Sequence, residues 1–303
     1  MKINGVEIDD TFAEAFGMRG TRVIITAQNL KWAYNAATAM TGFATSVIAC
    51  GVEAGIEREI SPDASPDGRP GVSILMFAMG SAVLMKQLET RLGQCVLTCP
   101  TAAAFSGIEN VPDRINLGKN LRFFGDGFQI SKKIDGKRFW RIPVMDGEFL
   151  TEETTGMVRA VGGGNFLILA ESQHQALAAC EAAIESMKKI PNVIMPFPGG
   201  VVRSGSKVGS KYKTLIASTN DAFCPTLKGI TKSELSMEIE SVMEIVIDGL
   251  TDSDIRLAMC SGIQAACRLG KENGIRRISA GNYGGKLGQF HFKLHEIMQG
   301  VKV

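Results

Sequence analysis

Residues 165–197, NFLILAESQHQALAACEAAIESMKKIPNVIMPF, read as strand, helix, strand, and this order sets the fold. NFLILAES (165–172) predicts a strand. Over 174–189, Leu177, Cys180, Ile184 and Met187 recur at helical spacing, and Lys188, Lys189 and Pro191 end the helix. NVIMPF (192–197) predicts a second strand. Further along, VMEIVIDGL (242–250) is a third strand. Thr251 with Asp254 reads as a helix start, and Ile255, Met259, Ile263 and Cys267 form the buried stripe of a helix running to Gly270. IRRISAG (275–281) and GQFHFKLHEI (288–297) are expected as the final strands.

The first half follows the same plan. TRVIITA (21–27) is a strand, and LKWAYNAATAMT (30–41) is helical, with Trp32, Ala36 and Ala39 on one side. TSVIAC (45–50) is expected as the next strand. The prolines and glycines of SPDASPDGRPG (61–71) forbid regular structure there. VSILMFA (72–78) is a strand, 81–92 a helix, and QCVLTC (94–99) the closing strand. A β insertion, GKRFWRIPVMDGEF (136–149), ends the half. The fold class is therefore α+β: two ferredoxin-like (βαββαβ) α/β-sandwich lobes in one chain, a duplication, divided as residues 1–148 and 149–303. The competing architecture is one large mixed sheet.

The chain has 303 residues, 45% of them hydrophobic, enough to bury a sizeable core. A net charge of +2, without aromatic–basic interleaving, argues against nucleic acid. The longest apolar run, VSILMFAMGSAVLM (72–85), is too short and broken for a membrane span. MKINGVEIDDTF has no signal-peptide core, so a cytoplasmic protein is expected. Seven scattered cysteines without C-x-x-C read as reduced, buried small hydrophobes. His291 and His295 alternate as on a strand. Neither a metal site nor a Ser-His-Asp or Cys-His set is supported by the spacing.

IMPFPGGVVRSGSKVGSKYKTLIASTNDAFCPT (194–226) is polar and Gly-rich within a globular sequence. It turns at Pro198-Gly199-Gly200 and carries Arg203, Lys207, Lys211 and Lys213, with Ser206 and Ser210 among them and Asn220 after. Such a stretch offers backbone N–H groups, hydroxyls and charge to an anionic or polar ligand. An exposed hairpin with solvated lysines accounts for it equally well. A phosphate loop is excluded, because Ser206 precedes Lys207 where the motif needs Lys first. Gly162-Gly163-Gly164-Asn165-Phe166 and Gly281-Asn282-Tyr283-Gly284-Gly285 are related turns beside strands, not dinucleotide fingerprints. Their glycines suit bulges or tight turns. Asn165 and Asn282 can serve the same turns and are carried as candidate ligand contacts. Glu244 lies mid-strand between Val242 and Val246, a setting that raises a carboxyl pKa toward neutrality. A solvated outer face shared with Glu240 and Asp248 is the equal alternative.

Together these segments resemble one family, the formylmethanofuran–tetrahydromethanopterin formyltransferases. The resemblance is carried end to end by TFAEAF (11–16), TGFATSVI (41–48), DGRPG (67–71), FFGDG (123–127), GGGNF (162–166), PFPGG (196–200), GSKVGSK (205–211), ASTNDAFCP (217–225), MEIVIDGL (243–250) and SAGNYGGKLGQ (279–289). It implies a two-lobed ferredoxin-like subunit assembling into dimers and tetramers. It implies transfer of a formyl group from formylmethanofuran to N5 of tetrahydromethanopterin, or of tetrahydrosarcinapterin, in one-carbon metabolism and methanogenesis. No metal or prosthetic group is needed. The family's catalytic acid maps onto Glu244, which settles the tie. The candidate binding set is Arg203, Ser206, Lys207, Ser210, Lys211, Gly199, Gly200, Asn220, Asn165 and Asn282. The rival function is a non-catalytic pterin-binding subunit of a one-carbon complex.

Overall fold

The computed structural model describes residues 1–300. After a two-residue strand, Lys2–Ile3, the chain forms strand β1 (Val6–Ile8), which pairs with it, and the long strand β2 (Phe12–Thr26). Packing groups the chain differently from the chain-order division at 148/149. One compact unit is Met18–Ala160; the other joins Met1–Gly17 to the residues from Val161 onward.

In the unit Met18–Ala160, the later part of β2 leads into helix α1 (Leu30–Thr41). The Asn29 side chain accepts from the Trp32 N–H and caps this helix. Its buried residues are Ala33, Ala36, Ala37 and Met40, one stripe of mostly small side chains. A single-turn helix, α2 (Val47–Cys50), precedes strands β3 (Glu53–Ile60) and β4 (Gly71–Ala78), helix α3 (Ser81–Arg91) and strand β5 (Ala103–Ser106). The strands lie in the order β3-β4-β2-β5, all antiparallel. Strands β6 (Lys137–Val144) and β7 (Gly147–Glu152) form a hairpin that extends this sheet, β7 running parallel to β5. Val23, Ile25, Val72, Ile74 and Met76 bury against Ala33, Met40, Leu84 and Leu88.

Two segments expected as strands are helical. In 45–50, the Ser46 side chain accepts from the Ile48 N–H, and Gly51 at φ 75° ends the turn, so local capping overrides the β-branched pair Val47-Ile48. In 94–99, α3 continues as a wide turn over Leu92–Val96. Leu92 and Val96, four apart, point into the core together, so their hydrophobicity serves a helix face.

In the other unit, the later part of strand β8 (Thr154–Ala170) enters helix α4 (Gln173–Met187), followed by the short strand β9 (Val193–Ile194). Pro196 stands where the rest of 192–197 was expected to pair, and Pro198 follows directly after that stretch. Strand β10 (Ser241–Gly249), helix α5 (Asp252–Leu269) and strand β11 (Ile275–Ser279) complete the sheet. The order is β9-β10-β8-β11, again all antiparallel, with β1 added parallel to β11. The expected strand 288–297 is β12 (Phe290–Lys293), paired with Phe12–Ala15, and then helix α6 (Leu294–Gly300). The pairings of β1 and of Phe12–Ala15 are why the first seventeen residues belong to this unit.

Helices α4 and α5 pack together on one face of this sheet through Ala176, Ala179, Cys180, Ala183, Met187, Ala258, Met259 and Gly262. Leu177, expected in the buried stripe, is 40% exposed, and alanines take its place because they let the helices approach closely. At Gly262 an added Cβ would stand 2.5 Å from Met187 Sδ and 3.0 Å from Phe166 Cζ, both fully buried side chains. Gly262→Val is expected to cost about 1–3 kcal/mol by overpacking. Urea unfolding monitored by circular dichroism would show a lowered midpoint; an unchanged midpoint would mean that this helix contact is loose.

Candidate active site

Ile245 and Ile247 of β10 point into the core shared with α4 and α5, so alternation turns Glu244 to the opposite face of the sheet. A cleft of about 900 Å³ lies over that face. Its floor includes Asn165 and Leu167 of β8, Glu244 of β10 and Ser279 of β11, and its rim carries residues of 202–207, 220–226 and 281–283. Leu167 and Glu244 are directly paired across the two strands. The chain after Gly200 is laid along β10: Val202 N–H donates to Glu244 O at 2.8 Å, and Glu244 N–H to Val202 O at 2.9 Å. That bridge starts the segment carrying Arg203, Ser206 and Lys207 along the cleft. The Glu244 carboxyl is half-buried, and burial raises its pKa from the ordinary carboxylate value to about 7.

Between Val161 and Gly164 the register of β8 against β10 slips by a bulge. Gly163 there has φ 91°, and its N–H donates to Asp248 Oδ1 at 3.0 Å. Beyond the bulge, the Asn165 amide acts as a clamp. Its Nδ2 donates to Gly163 O and Gly281 O, and its Oδ1 accepts from Gly281 N–H at 2.6 Å. A Cβ on Gly281 would lie 3.3 Å from Asn165 Oδ1 and 3.6 Å from Glu244 Oε1, so glycine keeps that approach open.

The loop that follows is held from below by Glu14 of β2. This carboxylate is 1% exposed and accepts four backbone N–H groups, from Tyr283, Gly285, Leu287 and Gly288, at 2.6–2.8 Å. Burial alone would raise its pKa; the four donors outweigh it and hold the pKa at about 2. Consecutive left-handed residues, Gly284 and Gly285, wrap the loop around it. The Tyr283 hydroxyl is hydrogen-bonded to Ser206. Its pKa is raised by burial and by the charges of Glu244 and Glu14.

Of the candidates named from sequence, Arg203, Ser206, Lys207, Asn220, Asn165 and Asn282 border the cleft with Glu244. Lys207 Nζ is paired with Asp221 Oδ1. The Asn282 side chain donates to Phe12 O and accepts from Gly284 N–H. Gly199, Gly200, Ser210 and Lys211 do not border it. Gly200 has φ 84° and would press a Cβ against Ile184 at 2.9 Å, and Ser210 Oγ accepts from Tyr212 N–H within a turn. Glu14 and Tyr283 were not singled out from sequence. A lone acid between Ala13 and Ala15 in TFAEAF, and a Gly-rich loop with many N–H groups to satisfy, were the available signals. Among the described residues no cluster of His, Cys, Asp and Glu could hold a metal ion, and no helix is long and apolar enough to cross a membrane.

A protonatable acid on the floor of a polar cleft, with a tyrosine hydroxyl and cations at its rim, defines an acid-assisted group-transfer site. Comparison with known proteins specifies the group. The family model described as formylmethanofuran-tetrahydromethanopterin formyltransferase matches residues 1–144, and the one described as FTR, proximal lobe, matches 147–297. A formylmethanofuran–tetrahydromethanopterin formyltransferase of Methylobacillus flagellatus is 85% identical, over 98% of this chain and all of that one. The solved formyltransferase of Methanosarcina barkeri is similar at 49% identity and a TM-score of 0.93, covering 98% of this chain and all of that one. In the formyltransferase/hydrolase complex of Methylorubrum extorquens, solved with methylofuran, one chain is similar at 52% identity and a TM-score of 0.96, with 98% of each chain covered. The chain belongs to the formylmethanofuran–tetrahydromethanopterin formyltransferase family, and it is a two-lobed α+β formyltransferase.

The depressed pKa of Glu14 has a pH signature. A carboxyl at about 2 when folded and near 4.5 when unfolded stabilises the protein above pH 4.5, and that contribution is lost as pH falls from 4.5 toward 2. Glu14→Gln, which sets an amide donor against backbone donors, is expected to lose about 2–3 kcal/mol at neutral pH. Its stability should then vary less steeply than wild type between pH 4.5 and 2. Parallel urea-midpoint profiles for the two proteins would show that Glu14 does not hold the loop as an ionised acid.

Proposed function

We propose that the chain moves a formyl group between formylmethanofuran and N5 of tetrahydromethanopterin, or a close variant such as tetrahydrosarcinapterin, by direct attack in a ternary complex, with Glu244 as the acid. The observation that carries this reading is the carboxyl at the cleft floor whose pKa, about 7, keeps a proton available at neutral pH. The pterin N5 lone pair forms the new C–N bond as the carbonyl π pair moves onto oxygen. Glu244, protonated, donates a hydrogen bond to that oxyanion. When the C=O bond re-forms, the bond to the methanofuran nitrogen breaks, and the leaving amine takes the Glu244 proton. The proton lost from N5 restores the acid.

The two coenzymes act as the substrates, with no tightly bound cofactor. Arg203 and Lys207 meet their anionic tails, with Ser206 and Asn220 beside them. Asn165 and Asn282 have side chains committed to backbone partners, and they shape the cleft. Ser210 and Lys211, with the Gly199-Gly200 turn, serve only a tail that runs past the cleft edge. Holding both substrates together supplies several kcal/mol of the barrier, up to roughly 7–11 kcal/mol in well-oriented systems. Binding without chemistry, the rival function, leaves Glu244 without a purpose.

Each lobe is read as ferredoxin-like and the pair as a duplication, in the cytoplasm. Strand order supports this: numbering each βαββαβ run from one to four, both sheets read 2-3-1-4. Register supports it too. Leu167 pairs with Glu244 and Asn165 with Val246 in one lobe; Ile24 pairs with Ser73 and Arg22 with Leu75 in the other. Ser73 thus stands in Glu244's place. It donates to Glu57, which also pairs with Arg22, the counterpart of Asn165. The proposed assembly is a homodimer or tetramer, supported by exposed Phe123, Phe124 and Phe128, each more than 60% exposed.

Mixing the protein with formylmethanofuran and the reduced pterin should generate the absorbance of the formylated pterin; affinity without turnover would overturn the reading. Glu244→Gln is expected to lower kcat by about 10²–10⁴-fold with substrate affinity retained. Because the acid must be protonated, the wild-type kcat should fall as pH rises through about 7, and the variant should lack that limb. A variant at near wild-type rate would remove Glu244 from the chemistry. Lys207→Ala should raise KM for one anionic substrate more than it lowers kcat; a collapse of kcat at constant KM would contradict the tail assignment. Light scattering at micromolar protein should find an oligomer, and a fully active monomer would contradict the assembly.

A further inference from the structure

Glu14 is buried without a cationic partner, and its whole hydrogen-bonding capacity is spent on one loop, Tyr283–Gly288. Each carboxylate oxygen takes two N–H groups: Oε2 those of Tyr283 and Gly285, Oε1 those of Leu287 and Gly288. The loop is fitted to this anchor. A Cβ on Gly288 would lie 2.4 Å from Ala15 O and 2.8 Å from Glu14 Cγ, so the backbone there has no room to slide. At its leading end, Asn165 grips Gly281 beside Glu244, and Asn282 is tied to Phe12 O. The residue fixed between these holds is Tyr283. Its ring stands near Phe16, with centroids 6.2 Å apart, and its hydroxyl meets Ser206 at the cleft. Tyr283 and Glu244 both line that cleft, and the charge of one acts on the other.

A tetrahedral oxyanion is best met by more than one preorganised donor. We infer that Tyr283 is the second donor, hydrogen-bonding the oxygen of the transferred formyl group beside Glu244, and that Glu14 is the positioning residue that sets Tyr283 there. This rests on the proposed formyl transfer and adds to it. Tyr283 donates a hydrogen bond as the carbonyl oxygen becomes an oxyanion and keeps its proton throughout. The net proton traffic therefore stays between N5, Glu244 and the leaving amine, and Ser206 orients the hydroxyl from the side. Glu14 touches neither substrate; it acts only through the loop.

The test is a double-mutant cycle on the full chain with both substrates, reading kcat and KM separately. Tyr283→Phe is expected to lower kcat about 10–100-fold with both KM values within about threefold, since the contact forms in the transition state. Glu14→Gln should lower kcat by a similar factor, and Glu14→Gln/Tyr283→Phe should be no slower than the slower single variant, because both remove one interaction. Glu14→Asp, which keeps the charge, should recover part of the rate. A Tyr283→Phe enzyme at wild-type kcat would overturn the inference, as would multiplicative losses in the double variant. Tyr283→Phe removes one surface-facing oxygen and leaves the fold intact, so it decides the matter even if Glu14→Gln does not fold. Glu244→Gln, run alongside, separates the failures. If it stays fast, the acid mechanism itself is wrong; if it is slow while Tyr283→Phe is fast, only the second donor is wrong.

Discussion

An ionised carboxyl with almost no contact to water must find its solvation inside the protein, and in this chain Glu14 finds it in four peptide N–H groups. The dependence runs both ways. Without the loop the acid would be stranded in an apolar strand; without the acid, four peptide N–H groups would lose their acceptor. The result is a Gly-rich segment with little side-chain packing of its own that nonetheless has one conformation. The Asn165 clamp then works on a loop that is already placed, and Gly281 can lie against Glu244 without a side chain intervening.

Glu244, the acid of the proposed mechanism, has the opposite treatment. Glu14 is surrounded by donors and stays charged; Glu244 is desolvated without such donors and holds its proton to about pH 7. Two glutamates of one unit thus differ by about five pKa units through environment alone. One sits between Ala13 and Ala15 and the other between Met243 and Ile245, and those apolar neighbours do not distinguish them. The difference comes from residues some 270 positions away in one case and from the walls of the cleft in the other.

What could be read from the chain follows the same division between local and distant causes. The helices at 30–41, 173–187 and 252–269 were legible because apolar spacing is local, as is the Thr251 cap of the last, although the stripe read for the first took in Ala39, which is exposed. Strand alternation placed Glu244 on the face away from Ile245 and Ile247. TSVIAC misled because β-branched residues occupy a turn capped by Ser46, and QCVLTC because its apolar residues finish a helix. NVIMPF shrank to two paired residues because Pro196 cannot donate. The cations of 203–211 were visible as charge, but only the bridge between Val202 and Glu244 tells which of them border the cleft. Tyr283 and Glu14 are joined by contacts that no window along the sequence contains.

Those long-range contacts also set an order of synthesis. Glu14 is made 269–274 residues before its partners. At about 5–20 residues per second this separates them by roughly 13–55 seconds of translation. Within that interval the sequence of Met18–Ala160 is completed, while Met1–Gly17 still lacks the partners it has in the folded unit. The Glu14 anchor therefore cannot form until Tyr283–Gly288 have been made, and Met1–Gly17 finds its place only after the residues that follow it by more than two hundred positions.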